Sequence, residues 1–346
     1  MLGDRYYYHR LNKKNQSLYR LILKAASNYV TSFRSYIQEL YSEKDLDVIN
    51  RAIIYDNPYL FYYSGLISVR YLSPNEVQIN LSFDFDQRES DELKKRLKEQ
   101  TVAFLKSIKL SDKTEEERVR AIHDLLSSKV VYDKNSIDSS NTIGKSEEYK
   151  YAHSILGVML NKKAVCEGIA KTYKYLLNAI DIGCIVVTGA AAHSSFFIPG
   201  TDINHAWNLV KIEGDNYYTD VTWDIAEVNN NHISRNYYNL TEFQIRKDHF
   251  GFEGFPTCYS TKYNFFYLTG RIMYSEEMLY DYADYVIRKH LKELYVRLEF
   301  ECNYMKVYER LEKYIHEALS YFNRTVYLQT LYCERQKILR IFFKYT

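Results

Sequence analysis

The sequence has few cysteines, prolines and glycines, and it carries little net charge. Its 346 residues include five Cys, four Pro and 12 Gly, and the formal charge is +2. An odd number of widely spaced cysteines, without a Cys-x-x-Cys pair, argues against a disulfide framework or a zinc site and favours a reducing compartment. A charge this near zero gives no reason to expect nucleic acid as a partner.

Long apolar runs are also missing. From Met1 to Gln16 there is no apolar stretch of the kind found in secretory signals. No run approaches the roughly 18 apolar residues that a membrane span requires. We therefore expect no membrane span, and a cytoplasmic location if the sequence is complete. A signal removed from a longer precursor would instead make the protein exported or attached to the cell surface.

The residues that are abundant are those that build a large core. The chain is 46% hydrophobic and 26% charged, with 36 Tyr and 17 Phe. This is the composition of a folded chain with room for two or three domains. We divide it into an N-terminal region (1–110), a central region (111–265) and a C-terminal region (266–346). Helical and alternating patterns occur in all three, which predicts an α+β fold.

The flanking regions alternate predicted helices with predicted strands. In the N-terminal region we expect helices at 17–33, 46–53 and 89–108, and a hairpin of strands at 66–71 and 77–85. In the C-terminal region we expect helices at 275–294 and 304–322, and strands at 295–302, 325–332 and 338–345. The strand at 295–302 alternates polar with apolar residues, so one of its faces should be buried.

The central region has a cysteine at the predicted start of a helix. After Cys166, apolar residues recur at spacings of three and four, at Ile169, Tyr173, Leu176, Leu177 and Ile180. The unpaired N–H groups and the positive end of the helix dipole favour a thiolate at this position. An ordinary buried cysteine is the alternative, and it is what we expect of Cys184 in a continuous apolar run.

A histidine and an aspartate follow on a predicted hairpin. Two runs rich in aromatic and β-branched residues flank Glu213-Gly214, which fits a two-residue turn. With that turn, His205 pairs with Thr222 and Trp207 pairs with Asp220. His205 and Asp220 then lie on one face as diagonal neighbours. Shifting the turn by one residue would separate them further, and a change of parity would place them on opposite faces.

Other residues of this region have more ordinary interpretations. We expect the second strand of the hairpin to extend through Trp223. Trp207 and Trp223, the only tryptophans, either pack the hairpin or form walls of the site. His123 should be structural. His193 lies in a predicted loop without an acid at strand spacing, so His205 is the better base.

Three motifs in this region resemble those of the transglutaminase-like superfamily of papain-like cysteine enzymes. They are Ala164-Val165-Cys166-Glu167-Gly168, His205-Ala206-Trp207-Asn208 and Asp220-Val221-Thr222-Trp223-Asp224. Shorter matches are Arg120–Asp124, Tyr132-Asp133, His153-Ser154, Gly157, Tyr237–Asn239 and Asp248-His249. Three motifs in the family's order make a specific signal. The resemblance implies a papain-like core with Cys166 as nucleophile, His205 as general base and acid, and Asp220 as the orienting acid.

Two positions depart from the family's pattern. Leu156 precedes Gly157 where the family often has Tyr, and Ile169 replaces the Tyr of a Gly-Tyr-Ala triplet. If the first tyrosine shapes the site or binds an oxyanion, its replacement would slow or alter the reaction.

The resemblance implies acyl transfer through a thioester on a protein or peptide substrate, with hydrolysis favoured over transamidation. The Cys166 N–H would donate to the oxyanion, and the sequence does not identify a second donor. A catalytically silent scaffold that binds peptide or a partner protein is the alternative. The spacing of Cys166, His205 and Asp220 fits no compact metal signature, so we expect neither a metal nor a cofactor. The oligomeric state is left open.

Overall fold

The structure is a computed structural model that describes residues 5–137, 146–191, 205–226, 232–321 and 326–345. Helices and strands are interspersed along these residues, so the predicted α+β class is confirmed. None of the described helices has the length and apolar character needed to cross a membrane. The predicted loop that contains His193 lies outside the described residues.

The N-terminal region contains four described helices and a three-stranded sheet. In chain order these are α1 (Tyr6–Arg10), α2 (Lys13–Ser27), β1 (Ser32–Tyr36), α3 (Glu43–Asp56), β2 (Tyr63–Ser73), β3 (Glu76–Phe83) and α4 (Gln87–Ser107). The strand order is β1-β3-β2, and both pairs are antiparallel. The predicted helix at 17–33 is wrong at its end. It stops at Ser27 because Tyr29 adopts a φ of 57°, and Phe33 then pairs with Ile79.

The central region contains the elements that carry the candidate site. They are α5 (Glu115–Lys129), β4 (Val131–Tyr132), α6 (Glu147–Ala152), β5 (Lys163–Ala164), α7 (Cys166–Asn178), β6 (Cys184–Ala191), β7 (His205–Ile212), β8 (Asp215–Thr219), α8 (Val221–Ala226), α9 (Glu242–Ile245) and β9 (His249–Phe250). The main sheet has the order β8-β7-β6-β9, with every pair antiparallel. Strands β4 and β5 form a separate parallel pair.

The β7–β8 hairpin has the predicted turn and register. Asn208 pairs with Thr219 and Ile212 pairs with Asp215, which leaves Glu213-Gly214 as the loop. Both loop residues have positive φ, 48° and 95°. These are the angles of a type I′ turn, whose twist matches that of the paired strands.

The predicted extension of the second strand to Trp223 is wrong. Strand β8 ends at Thr219 and helix α8 begins at Val221. Asp220 lies between them, and its Oδ1 accepts the backbone N–H of Trp223 at 3.2 Å. This is the bond of a helix N-cap, and it ends the strand although the residues that follow are of types common in strands.

Helix α7 packs its apolar face into the protein, as its sequence pattern predicts. Ile169, Tyr173, Leu176 and Leu177 are all buried. A Cβ atom at Gly168 would collide with the backbone carbonyl oxygen of Ala152, so the first turn of the helix requires glycine there. Strand β7 also contacts the helix, because Asn208 Nδ2 donates to the Ala170 carbonyl at 2.9 Å. These contacts fix where α7 begins.

The C-terminal region forms a second four-stranded sheet. Its elements, with a short helix just before it, are α10 (Phe265–Leu268), β10 (Ile272–Met273), α11 (Glu276–Arg288), β11 (Glu293–Leu298), α12 (Tyr304–Tyr321), β12 (Val326–Cys333) and β13 (Ile338–Tyr345). The strand order is β10-β11-β13-β12. The predicted one-sided burial of the strand near 295–302 is wrong. Every residue from Leu294 to Leu298 is buried, because β11 is an inner strand covered on both faces.

Buried side chains connect the N-terminal and central regions. One apolar cluster includes Ile22, Ile79, Leu97 and Tyr173, and α1 is joined to β6 where the Tyr7 hydroxyl donates to the Val186 carbonyl at 2.6 Å. Most of the C-terminal region packs into a cluster of its own. The division into three domains stays a prediction, and its first boundary crosses a shared core.

Candidate active site

Cys166 is the first residue of α7 and lines a cavity of about 330 Å³. The residues that surround it in the cavity are Tyr55, Tyr132, Ile137, His153, Val165, Glu167, Thr188, His205 and Ala206. The thiol belongs to a half-buried residue. Val165, the N-cap, has no side chain that could bond to the first-turn N–H groups of the helix. The start of α7 therefore offers the environment in which a thiolate is favoured.

His205 and Asp220 form a short buried hydrogen bond. His205 Nε2 donates to Asp220 Oδ2 at 2.6 Å, and the two side chains are 8% and 0% exposed. Burial alone would lower the pKa of His205, but the Asp220 carboxylate and a hydrogen bond to Cys166 raise it to about 10. Burial opposes ionisation of Asp220 too, yet the contact with His205 holds the pKa of that carboxyl well below its usual range. The imidazole is therefore protonated at neutral pH.

This arrangement also defines which imidazole nitrogen meets which partner. Because Nε2 of His205 is used by Asp220, Nδ1 is the nitrogen left for Cys166. The structure thus brings together all three residues that the sequence analysis selected. Asp220 reaches His205 from the cap of α8 rather than from within a strand.

Tyr132 contacts Cys166 from the side of the β4–β5 pair. Tyr132 is the register partner of Ala164, and Asp133 N donates to the Ala164 carbonyl at 2.9 Å. The Tyr132 hydroxyl forms hydrogen bonds with both the thiol and the backbone N–H of Cys166. Burial, followed by the negative charges of Cys166 and Asp220, raises the pKa of Tyr132 to about 12. The hydroxyl therefore keeps its proton at any ordinary pH.

A charged cluster lies next to Cys166 in the same cavity. Glu167 Oε2 is 3.0 Å from Nδ1 of His153, and Glu167 Oε1 is 2.7 Å from Nζ of Lys171. Burial would raise the pKa of Glu167, but Lys171 and His153 lower it to about 2. A smaller cavity of about 130 Å³ shares His153 and Glu167 with the first one. His153 and Glu167 thus lie on the wall between two adjacent cavities.

A second imidazole reaches the same aspartate. His249 Nε2 is 3.0 Å from Asp220 Oδ2, and its Nδ1 is 2.7 Å from Asp248 Oδ1. Within the described part of the chain, ligand-type atoms of His205, Asp220 and His249 lie within 4.8 Å of one another and are the set that could hold a metal. Ligands at about 2.0–2.2 Å from a tetrahedral metal would lie roughly 3.3–3.6 Å apart. The 2.6 Å separation is instead that of a hydrogen bond, so we assign protons to these links.

The two tryptophans lie against the imidazole rings. The ring of Trp207 stacks on that of His205 with centroids 5.7 Å apart, and the ring of Trp223 lies 5.9 Å from it. Both also contact His249. Neither is among the residues that line the cavity around Cys166. Their position shields the His205–Asp220 bond from water, which strengthens it electrostatically.

The two departures from the family's pattern lie in the core. Leu156 is 0% exposed and Ile169 is 1% exposed, and neither lines the cavity. His123 is also fully buried, with Nε2 2.9 Å from Asp224 Oδ2 and Nδ1 3.2 Å from Asp124 Oδ1. It is the structural histidine that the sequence analysis expects.

The site contains several residues for which the sequence predicts no role. Tyr132, His153, Glu167 and His249 all belong to motifs of the resemblance, and their polar side chains within those motifs were the available signal. Tyr55 comes from α3 in the N-terminal region. It also lines the cavity, although it belongs to none of the motifs. Nothing in its sequence context indicates that position.

The family model described as the transglutaminase-like superfamily matches residues 102–223. No curated protein matches the chain.

Three solved structures are similar to parts of the chain. One is a TGase, with 14% identity and a TM-score of 0.31, over 59% of this chain and 53% of that one. Another is a candidate cysteine protease from Cytophaga hutchinsonii, with 16% identity and a TM-score of 0.26, over 56% and 71%. A third is a candidate protease from Parabacteroides distasonis ATCC 8503, with 17% identity and a TM-score of 0.25, over 44% and 35%. The chain spans about half the length of the first of these. The match of the family model thus confirms the resemblance to the transglutaminase-like superfamily over residues 102–223 of this chain.

Proposed function

We propose that this chain is a cysteine-dependent acyl-transfer enzyme that acts on peptide or amide bonds, with hydrolysis favoured over transamidation. Cys166 is the nucleophile, His205 the general base and acid, and Asp220 the residue that orients His205. The observation that carries the proposal is the buried 2.6 Å bond from His205 Nε2 to Asp220 Oδ2, with His205 hydrogen-bonded in turn to the Cys166 thiol. This is the connectivity that activates a thiol for nucleophilic attack.

The reaction follows from these contacts. The Cys166 proton resides on His205, and the thiolate attacks the carbonyl carbon of the scissile amide to form the C–S bond. His205 then gives its proton to the leaving nitrogen as the C–N bond breaks, which leaves a thioester. A water molecule attacks the thioester while His205 takes one of its protons, the C–S bond breaks, and the carboxylic acid leaves with Cys166 again a thiolate beside protonated His205. Asp220 keeps the ring oriented through both steps.

The oxyanion of each tetrahedral intermediate requires donors beside Cys166. We assign the Cys166 backbone N–H at the start of α7 as one donor and the Tyr132 hydroxyl, which is hydrogen-bonded to Cys166, as the second. Without substrate this hydroxyl accepts the Cys166 N–H, so it occupies the place where the substrate oxygen would bind. A shift of the Tyr132 side chain away from the Cys166 N–H would open that place to the substrate oxygen, to which the hydroxyl would then donate. Two donors at this point supply the usual electrostatic stabilisation of acyl transfer.

Hydrolysis is favoured because it requires only that water reach the thioester. The cavity at Cys166 has polar groups on its surface, including His153, Glu167 and Thr188. Such a lining favours a hydrated site. A transamidase must instead exclude water and retain an amine long enough for it to attack.

Selective alkylation tests the nucleophile. The full chain would be treated with iodoacetamide at neutral pH, and each of the five cysteines followed by mass spectrometry. Cys166 should react at least about tenfold faster than Cys302 and Cys333, because of these three it is the one that begins a helix and is hydrogen-bonded to His205. Cys302 and Cys333 are suitable internal references, since they too are half-buried. Equal rates at all three would overturn the proposal and leave the peptide-binding scaffold as the function.

A His205→Ala variant completes this test. It should reduce the alkylation rate of Cys166 to that of the reference cysteines. A Cys166→Ala variant should abolish turnover of any substrate, since it removes the attacking sulfur. If His205→Ala leaves the alkylation rate unchanged, the imidazole has no part in activating the thiol.

The products distinguish hydrolysis from transamidation. A peptide library would be incubated with the chain, with and without a labelled primary amine. Peptidase action predicts new amino termini, amidase action predicts ammonia, and neither should depend on the amine. Incorporation of the label in place of hydrolysis would show that the acceptor is an amine and not water.

A further inference from the structure

His249 lies beside the candidate triad. It contacts Asp220, whereas Cys166 contacts His205. Strand β6 lies between β7 and β9, with His205 paired to Gly189 and His249 paired to Ala191. Because Gly189 and Ala191 are two residues apart, both histidines project from the same face of the sheet. Their ring centroids are 5.5 Å apart, and Asp220 lies within hydrogen-bonding distance of both.

Both nitrogens of His249 face carboxylates. Nε2 lies 3.0 Å from Asp220 Oδ2 and Nδ1 lies 2.7 Å from Asp248 Oδ1. An ionised carboxylate only accepts hydrogen bonds, and a neutral imidazole donates from one nitrogen only. An imidazolium is the form that satisfies both contacts. All three side chains are 0% exposed, so these charges have no water to compensate them.

Asp248 is itself held as an acceptor. Its Oδ2 receives the Tyr237 hydroxyl at 2.9 Å and Nε2 of Gln336 at 3.0 Å. Gln336 belongs to the turn between β12 and β13, so a residue of the C-terminal sheet's hairpin holds Asp248 in place. The rings of Trp207 and Trp223 cover the remaining faces near His249, at 4.7 and 4.6 Å between centroids.

We infer that His249 is a positioning residue, which shares its positive charge between Asp220 and Asp248 and keeps Asp220 ionised and directed at His205. This inference rests on the proposed function of Cys166, His205 and Asp220. It assigns a role to the Asp248-His249 pair that lies outside the triad itself. His249 does not contact the reacting atoms, so it acts only through Asp220.

Replacement of His249 should change the charge near Asp220 in a known direction. The groups that face His249 are Asp220, Asp248 and His205, with the Tyr237 hydroxyl on Asp248. Replacing His249 by a neutral residue removes one positive charge and leaves two buried carboxylates with one fewer counter-ion. Extra negative charge disfavours a thiolate at Cys166, so the acid limb of the alkylation profile should move to higher pH. A purely structural loss would reduce the amount of folded protein without moving the limb.

The experiment measures the rate of Cys166 alkylation by iodoacetamide as a function of pH in the full chain. The variants are His249→Gln, the charge-balanced pair His249→Gln with Asp248→Asn, and His123→Gln as the matched control. His123 is equally buried and also lies between two carboxylates, of Asp124 and Asp224. It contacts neither His205 nor Asp220, so its loss should affect folding alone.

The expected result is an acid limb shifted upward by about one pH unit in His249→Gln, which is about a tenfold slower reaction at a fixed pH on that limb. The charge-balanced pair should restore most of the shift, and His123→Gln should follow the wild type. A His249→Gln profile that coincides with the wild type would overturn the inference. If that variant does not fold, Asp248→Asn carries the test, because it releases one carboxylate and should move the limb in the opposite direction.

The failures of the two proposals are distinguishable. If Cys166 of the wild type shows no selective alkylation, the proposed function fails, whatever the His249 variants do. If the wild type alkylates selectively and the His249→Gln limb does not move, only the role of His249 is lost. Proton NMR gives a second reading, since the two ring N–H groups of an imidazolium held by carboxylates should give far-downfield resonances that disappear in His249→Gln.

Discussion

Tyr132 and Ala164 are register partners in the two-residue parallel ladder of β4 and β5. Because Cys166 follows Ala164 by two residues, this ladder sets the Tyr132 hydroxyl against the Cys166 thiol and backbone N–H. A short pair of strands with no place in the main sheet thus positions a donor at the candidate nucleophile.

Tyr132→Phe should reduce turnover by about 100-fold, because it removes one of two oxyanion donors. Alkylation of Cys166 should change by only a few-fold, since that reaction forms no oxyanion and loses only the hydrogen bond of the hydroxyl to the thiol. Steady-state rates and iodoacetamide rates measured on the same preparation check both statements. Tyr175→Phe is the control, because it removes a remote hydroxyl bonded to Thr101. Full turnover in Tyr132→Phe would show that the second donor is another group.

Asp220→Asn should move the alkaline limb of the pH–rate profile to lower pH. In the wild type the imidazolium of His205 persists until about pH 10, because Asp220 and Cys166 outweigh the effect of burial. Without the carboxylate, the limb should move down towards about 6.5, the ordinary value of histidine, and turnover should fall on the order of 10³-fold.

The choice of asparagine keeps the fold comparable. Asn is as good an N-cap as Asp, so the bond to the Trp223 N–H that begins α8 can be kept. Circular dichroism should therefore show unchanged helix content. An alkaline limb that remains near pH 10 would mean that Asp220 is not the group that sustains the charge on His205.

Glu167→Gln should destabilise the protein by about 2 kcal/mol at neutral pH, since Glu167 bridges His153 and Lys171. The pKa of this carboxyl is lowered to about 2 in the folded chain. The contribution of ionised Glu167 to the free energy of unfolding is therefore complete above about pH 4.5, the ordinary range of glutamate. It is lost as the pH falls towards 2.

Urea unfolding at pH 7 and at pH 3 checks this dependence. The difference between wild type and Glu167→Gln should be smaller at the lower pH. Glu309→Gln, at an exposed position of α12, is the control and should show little change at either pH. An equal difference at both values would mean that the ion pairs do not stabilise the folded state.

Gly214→Ala should destabilise the β7–β8 hairpin by roughly 1–2 kcal/mol, because Gly214 has a φ of 95° that a side chain resists. Gly183→Ala is the matched control. Its φ is not in the positive range, and its Cβ would meet Lys211 Cβ at an ordinary 3.5 Å. Thermal unfolding should separate the two variants, with Gly183→Ala near wild type. Equal stability of the two would contradict the type I′ turn.

Leu156→Ala should cost about 2–5 kcal/mol of stability, as expected for truncation of a fully buried leucine. Because Leu156 does not line the cavity, the alkylation rate of Cys166 in the folded fraction should stay at the wild-type value. A slower reaction in fully folded protein would show that this departure from the family's pattern does affect the site.

The parts of the site that could be predicted are those set by local sequence. The Glu213-Gly214 turn fixed the register of the hairpin because its backbone angles suit few other residues. The start of α7 could be read from the apolar spacing after Cys166. Local composition was misleading at Val221, because the hydrogen bond from the Trp223 N–H to Asp220 begins a helix although the residues there are of types common in strands.

The parts that could not be predicted depend on distant pairings. His249 meets Asp220 because β9 pairs with β6, and a two-residue strand leaves no periodicity to detect. Tyr55 reaches the cavity through the packing of α3, more than 100 residues before Cys166. A motif identifies which residues are special, whereas only the fold shows which of them meet.

The position of Tyr55 has a consequence for how such proteins diversify. One wall of the cavity is supplied by α3, which lies outside the segment 102–223 that matches the superfamily. Substitutions in α3 can alter what fits into the cavity beside Cys166 without changing the residues that we propose as nucleophile, base and orienting acid. One part of the cavity wall and the three proposed catalytic residues are thus encoded in separate stretches of the chain, so that part of the wall can change while the proposed residues stay the same.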